Sequence, residues 1–180
     1  GATLTNAILT DAILTGAILT GAKLNGAQLA GAVGLATTTL TGTDMTGLDL
    51  SGQNLTGKNL TGTVLAGANL TGANLTDAVM TNANLTRAIL TDANLTGATL
   101  TGTVLTGATG WATTTLTGAD LSGQDLKNSV LSGKDLTGAN LTNAKLTGTN
   151  LAGATLINAK LNGADLTGAT VTNAKLNGAD

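Results

Sequence analysis

The sequence predicts an all-β solenoid of square cross-section, built from about nine coils of four five-residue repeats. Three observations lead there. Residues 67–97, GANLTGANLTDAVMTNANLTRAILTDANLTG, repeat with a period of five, which matches neither a helix nor a flat strand. Ala and Leu supply most of the 42% hydrophobic content, while Phe, Tyr, Pro, Cys and His are absent. The pairs TG, TN and TD recur between units, so each junction carries a residue that adopts positive φ at little cost.

Each part of the pentad has its reason. On a helix, at about 100° per residue, Leu side chains five apart turn by about 140° from unit to unit and form no stripe. In an extended segment, residues two apart point the same way, so the Ala and Leu of A-x-L-T-G share the inner side. The next inward Ala comes three residues after the Leu, and the chain must turn between them. A turn of about a right angle at each pentad closes a coil after four pentads, and stacked coils make a rod of about 43 Å at about 4.8 Å per coil. Gly- and Thr-rich chains poor in aromatics are often disordered, but disorder goes with low hydropathy and high net charge. Here mean hydropathy is +0.27 and the formal charge is −2, which favours an ordered repeat.

Along the chain, Leu (or Met45, Met80) holds the centre on every fifth residue from Leu4 to Leu29 and from Leu35 to Leu105. The series resumes from Trp111 through Leu116 to Leu176, with Val171 as a substitute. Leu55, Leu60, Leu70, Leu75, Leu85 and Leu95 are assigned to the inward core ladder. A twenty-residue coil stacks residues twenty apart. Asp125, Lys145 and Asp165 then form one column, Asp120, Asn140, Lys160 and Asp180 another, and Asn54, Asn74 and Asn94 an amide ladder. Opposite charges on neighbouring strands attract.

The register slips by one residue twice, near 32–36 in AVGLATTTLTG and near 108–112 in ATGWATTTLTG. The two copies lie 76 residues apart, from Ala32 to Ala108, which points to a duplicated and edited block. Gly34, Leu35, Gly110 and Trp111 are assigned to one-residue bulges or expanded corners, with Trp111 filling space where Leu35 stands in the first copy. After each slip, inward Ala positions carry other residues: Leu48, Gln53 and Lys58, then Gln124, Ser129 and Lys134. An unpartnered buried lysine is expensive, so either these side chains reach water at a corner or the coil is locally open. A ligand site at this place is the minor reading. Ile8, Ile13 and Ile18 take outward positions in the first coil and are a candidate interface, set against ordinary β propensity.

The tandem unit A-(N/D)-L-T-G, running through nearly the whole chain, resembles the pentapeptide-repeat family, whose motif is A-(D/N)-L-x-x. The resemblance implies a right-handed quadrilateral β-helix with four pentads per coil. It also implies a second functional reading, because some members mimic duplex DNA and bind DNA gyrase. Those members are strongly negative rods, often with Phe at the centre and with stacked ends in a dimer. This chain has Leu at the centre, no Phe, a net charge of −2 and Lys within its Asp columns.

Function classes narrow by composition. Without His, Cys, Tyr or Glu, the common nucleophile and general-base arrangements are missing, so no catalytic residue and no cofactor are assigned. Dispersed Asp residues among Lys give no metal site, and eight Lys and Arg against ten Asp give no basic stripe for direct nucleic-acid binding. No apolar run reaches the about 18 to 20 residues of a membrane-spanning helix. The expectation is a non-catalytic structural or protein-interaction scaffold, with a protein partner and end-to-end self-association open to it. A third reading is a regular Thr array such as an ice-binding surface. The TLT triplets at Thr3, Thr39, Thr99 and Thr115 fall on different faces, which counts against it. The chain starts at Gly1 without Met and stops inside a repeat unit, and is read as one solenoid domain, 1–180, cut from a longer protein.

Overall fold

Each pentad folds as a short extended rung followed by a two-residue corner, and four rungs complete one coil. The computed structural model describes residues 1–29 and 31–180. Counting from the inward Ala position, coil 1 spans 2–21, coil 2 22–42, coil 3 43–62, coil 4 63–82 and coil 5 83–102. Coil 6 then spans 103–123, coil 7 124–143, coil 8 144–163 and coil 9 164–180. Coils 2 and 6 hold the slips and are one residue longer than the other complete coils. Bridges between neighbouring coils are parallel and join residues twenty apart, such as Asn54 to Asn74 and Asn74 to Asn94. Across a slip the spacing becomes twenty-one, as from Ile18 to Thr39 and from Asn94 to Thr115.

A regular rung uses two backbone bonds. The Leu85 N–H donates to the Val104 carbonyl at 2.7 Å, and the Val104 N–H donates back to the Ala83 carbonyl at 2.9 Å. The corner is closed within the coil by Ala88 N–H donating to the Leu85 carbonyl at 2.9 Å. Corner residues sit in the left-handed region, Gly72 at φ 65° and Asn82 at φ 57°. Arg87 sits there too, at φ 59°, although the sequence reading reserved corners for Gly, Asn and Asp. Where a corner carries Asn, the next coil must be spare at the same place. A Cβ on Gly163, for example, would run into the Asn143 side chain.

The inner side is a continuous stack of Leu and Ala. Leu60, Leu70, Leu75, Leu85 and Leu95 are wholly buried and Leu55 is nearly so, each worth about 1.5 to 3 kcal/mol of apolar transfer. Thr43, Thr63 and Thr149 also stand inward and buried. Each survives there by donating its hydroxyl to a Leu carbonyl, as Thr63 Oγ1 does to Leu60 at 2.7 Å. At the C-terminal end the stack is open, and Leu166, Val171 and Leu176 are exposed.

The polar columns stack as the sequence spacing requires, but their side chains bond differently. Asp125, Lys145 and Asp165 are bridged in one column, and Asp120, Asn140 and Lys160 in another. In the Asn54, Asn74, Asn94 column each amide oxygen turns to its own coil. Thr76, for instance, donates both its N–H, at 3.1 Å, and its hydroxyl, at 2.7 Å, to Asn74 Oδ1. An Asx turn satisfies the corner locally, so it outcompetes the inter-coil amide ladder. The same bonds tie down the hydroxyls of Thr56, Thr86 and Thr96, which a Thr-array surface needs free.

Candidate functional site

The two slips are built alike. In the first, Gly34 lies at φ 88° and Leu35–Thr37 form one turn of 3-10 helix. In the second, Gly110 has the same φ of 88°, followed by a turn over residues 111–113. A side chain at Gly110 would collide with the Thr91 backbone, so this corner admits glycine alone. The inserted residue leaves a corner N–H of the preceding coil without its usual carbonyl. A threonine hydroxyl replaces it: Thr37 Oγ1 accepts from Gly16 N–H at 3.1 Å, and Thr113 Oγ1 from Asp92 N–H at 2.8 Å. Thr38 and Thr114, buried beside them, donate to the carbonyls of Leu14 and Leu90, each at 2.8 Å. The bulges thus reach two residues past the stretch predicted from sequence, because the TTT that follows each slip is part of the turn.

The larger consequence lies on the next coil. Among the described residues, no bridge joins Gln28, Val33 or Thr39 of coil 2 to Asp49, Asn54 or Asn59 of coil 3. The second slip repeats this: Val104, Thr109 and Thr115 of coil 6 are unbridged to Asp125, Val130 and Asp135 of coil 7. The rod is open there along three of its four sides. It closes again at the fourth corner, where Gly42 N–H donates to Thr61 at 3.0 Å and Gly118 N–H to Thr137 at 2.9 Å.

On every open side the inward position of the upper coil has lost its Ala. Leu48, Gln53 and Lys58 precede Asp49, Asn54 and Asn59, and Gln124, Ser129 and Lys134 precede Asp125, Val130 and Asp135. Inward Thr43, Thr63 and Thr149 sit on closed rungs, so size beyond a methyl group alone does not part the coils; the gaps coincide with runs that contain long polar side chains, Gln53 and Lys58 or Gln124 and Lys134. The lysines do more. In a closed rung the Asp135 N–H would donate to the Thr114 carbonyl; here Lys134 Nζ donates to it instead, at 2.6 Å. Lys58 Nζ does the same for the Thr38 carbonyl. Both lysines are buried, and that burial pushes each amine below the ordinary lysine value. Gln124 Nε2 reaches the Leu100 carbonyl at 2.5 Å, at the corner where the second opening begins. Of the two sequence alternatives, escape into water or a locally open coil, the structure has the second.

Each opening holds a cavity on its first side. The larger, about 620 Å³, lies between Gly102–Ala108 and Gly123–Ser129, with Trp111 at one end. The smaller, about 530 Å³, lies between Gly26–Leu29 and Gly47–Gln53. Trp111 is half-buried against the core and donates Nε1–H to the Ala108 carbonyl at 3.1 Å, while Leu35 at the matching place is buried. At the mouths, Asp49 is held below the usual carboxylate range by hydrogen bonds from the Ser51 hydroxyl and backbone, outweighing its slight burial. On the third side of the second opening, away from its cavity, Asp135 is lowered in the same way, chiefly by Thr137.

Ile8, Ile13 and Ile18 lie on three successive sides of coil 1 and are 75–79% exposed. They are therefore a girdle rather than one patch; only Ile13 has an exposed apolar neighbour, Val33, in its column. Among the described residues no cluster of acidic, Cys or His groups is arranged to hold a metal ion, and no helix is long and apolar enough to cross a membrane.

A profile described as Pentapeptide repeats matches the chain over residues 1–33, 43–82, 68–107, 115–151 and 144–180, in eight copies. The stretches it leaves out, 34–42 and 108–114, are the two slips. A solved structure of HetL, a pentapeptide-repeat protein involved in heterocyst differentiation regulation from the cyanobacterium Nostoc sp. strain PCC 7120, is similar at 31% identity with a TM-score of 0.60. The alignment covers 99% of this chain and 88% of HetL. The chain belongs to the pentapeptide-repeat family, and its fold is the family's right-handed quadrilateral β-helix.

Two further similarities are weaker in shape. Rfr23 from the cyanobacterium Cyanothece 51142 shares 31% identity over 64% of this chain and 63% of its own, at a TM-score of 0.37. QnrB1, a plasmid-mediated fluoroquinolone resistance protein, shares 19% identity over 96% of this chain and 91% of its own, at 0.34. A search of curated protein sequences gives no significant match.

Proposed function

We propose that this protein is a non-catalytic scaffold, a rigid rod whose sides present side chains to a protein partner. One observation carries the reading. The inner side of the rod repeats Leu and Ala with little variation, whereas the outward middle position of each pentad changes freely among Asn, Asp, Lys, Thr, Ile and Val. Packing fixes the inner set, so whatever sequence information the rod carries outward lies in columns at about 4.8 Å spacing.

The gyrase-binding, DNA-mimic reading ranks second. A DNA-like rod needs rows of negative charge, and here Lys145 separates Asp125 from Asp165 while Lys160 follows Asn140 in the Asp120 column. A supercoiling assay with purified gyrase, with and without a quinolone, separates the two readings: the scaffold predicts neither inhibition nor protection. A photo-crosslinking residue placed in turn at Thr99, Ile89, Asn94 and Asn84, one on each side of coil 5, tests the scaffold directly in an extract of the source organism. Discrete adducts confined to one or two sides support it. Equal labelling of all four sides, or none, counts against it.

A further inference from the structure

The openings after the slips are an unusual place in a β-solenoid, because both lips are strand edges that face each other without pairing. On the first side of the second opening, the lower lip is Thr103, Val104 and Leu105, and the upper lip is Gln124, Asp125 and Leu126. In a closed rung Leu105 N–H would donate to Asp125 and Asp125 N–H to Thr103, by the pattern of Leu85, Val104 and Ala83. Neither bond is made across the opening. The lower wall is nevertheless apolar, with Val104, Leu105, Ala108 and Trp111 lining the cavity, while Asp125, Lys127 and Asn128 line it from the upper coil.

We propose that each opening is a strand-insertion site, which takes an extended peptide with alternating apolar and polar residues as a surrogate rung. Such a peptide carries the donors and acceptors that both lips lack, and main-chain bonding of this kind is how exposed sheet edges commonly bind peptides. Its apolar residues would face Leu105 and its polar residues the mouth, following the period-two alternation of a strand. The side chains at Gln124, Ser129 and Lys134 act as spacers: Lys134 takes the Thr114 carbonyl on the third open side in place of the Asp135 N–H, so that the rung there does not close. The same arrangement in two copies, each with its own lysine and its own cavity, fits a device kept through the duplication. The proposal deepens the scaffold reading and rests on it.

The test is hydrogen exchange on the full chain, with a capped peptide of residues 68–77, ANLTGANLTD, as the probe. In the free protein, the amides of Leu105, Asp125 and Val130, which face the opening without a bond, should exchange about a hundredfold faster than their bonded counterparts Leu85, Lys145 and Asn150, and peptide should slow Leu105 and Asp125 about tenfold. A peptide N-methylated on alternate residues, which has lost half its donors, should leave them unchanged. The triple variant Gln124→Ala, Ser129→Ala, Lys134→Ala should close the slot, protecting these amides without peptide and abolishing the response. Slow exchange at Leu105, Asp125 and Val130 in the free parent protein would overturn the proposal, as would peptide protection confined to the open end at 164–180. Side-specific crosslinks together with either result would retain the scaffold and remove the slot.

Discussion

Coils 4 and 5 and coils 6 and 7 are made from the same pentad, yet one pair is closed on every side and the other is open on three. The difference is a single inserted residue and three inward side chains. In the closed pair, Ala83, Ala88, Ala93 and Ala98 allow two rungs to approach to hydrogen-bonding distance. In the open pair, Gln124, Ser129 and Lys134 stand where those methyl groups would be. A β-solenoid of this width therefore stays shut over inward Ala, and over Thr43, Thr63 and Thr149, and parts where a run of inward positions brings in long polar side chains. Of the backbone groups freed by the opening, the Thr114 carbonyl is taken up by Lys134, while Thr113 covers the coil 5 Asp92 N–H that the inserted residue leaves without a carbonyl.

The largest expected effect breaks the closed region. Leu75→Asp places a charge in a fully buried column, and about 4 kcal/mol or more of destabilisation should follow. A circular-dichroism melt indistinguishable from the parent's would show that the column is not a core. Next comes truncation on either side of the comparison. Leu85→Ala should cost about 3 kcal/mol, and Leu131→Ala, beside the second opening, about half of that, because coils already apart leave less packing to lose. Equal losses in urea titrations would mean that the opening does not weaken its surroundings.

Corners offer a sharper contrast. Gly110→Ala meets the Thr91 backbone and should cost about 3 kcal/mol, whereas Gly72→Ala, at φ 65° with open space around it, should cost about 1 kcal/mol. Comparing the two midpoints by chemical denaturation separates collision from backbone strain.

A smaller effect concerns pH. Burial holds the Lys58 and Lys134 amines below the ordinary lysine value, so between their lowered values and that ordinary value the unfolded chain binds more protons than the folded one. Stability should rise with pH across that alkaline window and be flat below it. The double variant Lys58→Met, Lys134→Met should lose the rise; an unchanged pH profile would mean that neither amine is buried as described. The smallest signal is spectroscopic. Trp111, the only aromatic residue, reports on the second slip. Its fluorescence transition in urea should precede the circular-dichroism transition if the array separates first at its open interface. Coincident curves would indicate one cooperative unit.

Much of this molecule is legible from the chain alone. The inward Leu and Ala, the corners and the columns twenty apart all follow from a five-residue unit, because each is set by contacts within a pentad or between identical pentads. The slips are legible too, as places where the count fails, and so is the association of Lys58 and Lys134 with them. Arg87 at a corner and the buried Thr63 and Thr149 were not, since a position that usually holds Gly or Ala gives no sign in the sequence of when a neighbouring carbonyl or open space will admit something else.

Tertiary structure decided what the irregularities amount to. Whether a buried lysine escapes to solvent or parts two coils depends on the carbonyl of Thr114, twenty residues earlier and one coil below, and on whether that carbonyl has another donor. Rung spacing is likewise a sum over all four sides of two stacked coils, so no pentad contains the information that a gap will open. A local repeat fixes local geometry by itself. An opening between repeats exists only where the bulk of several side chains, brought together by stacking, outweighs the backbone bonds that would otherwise close it.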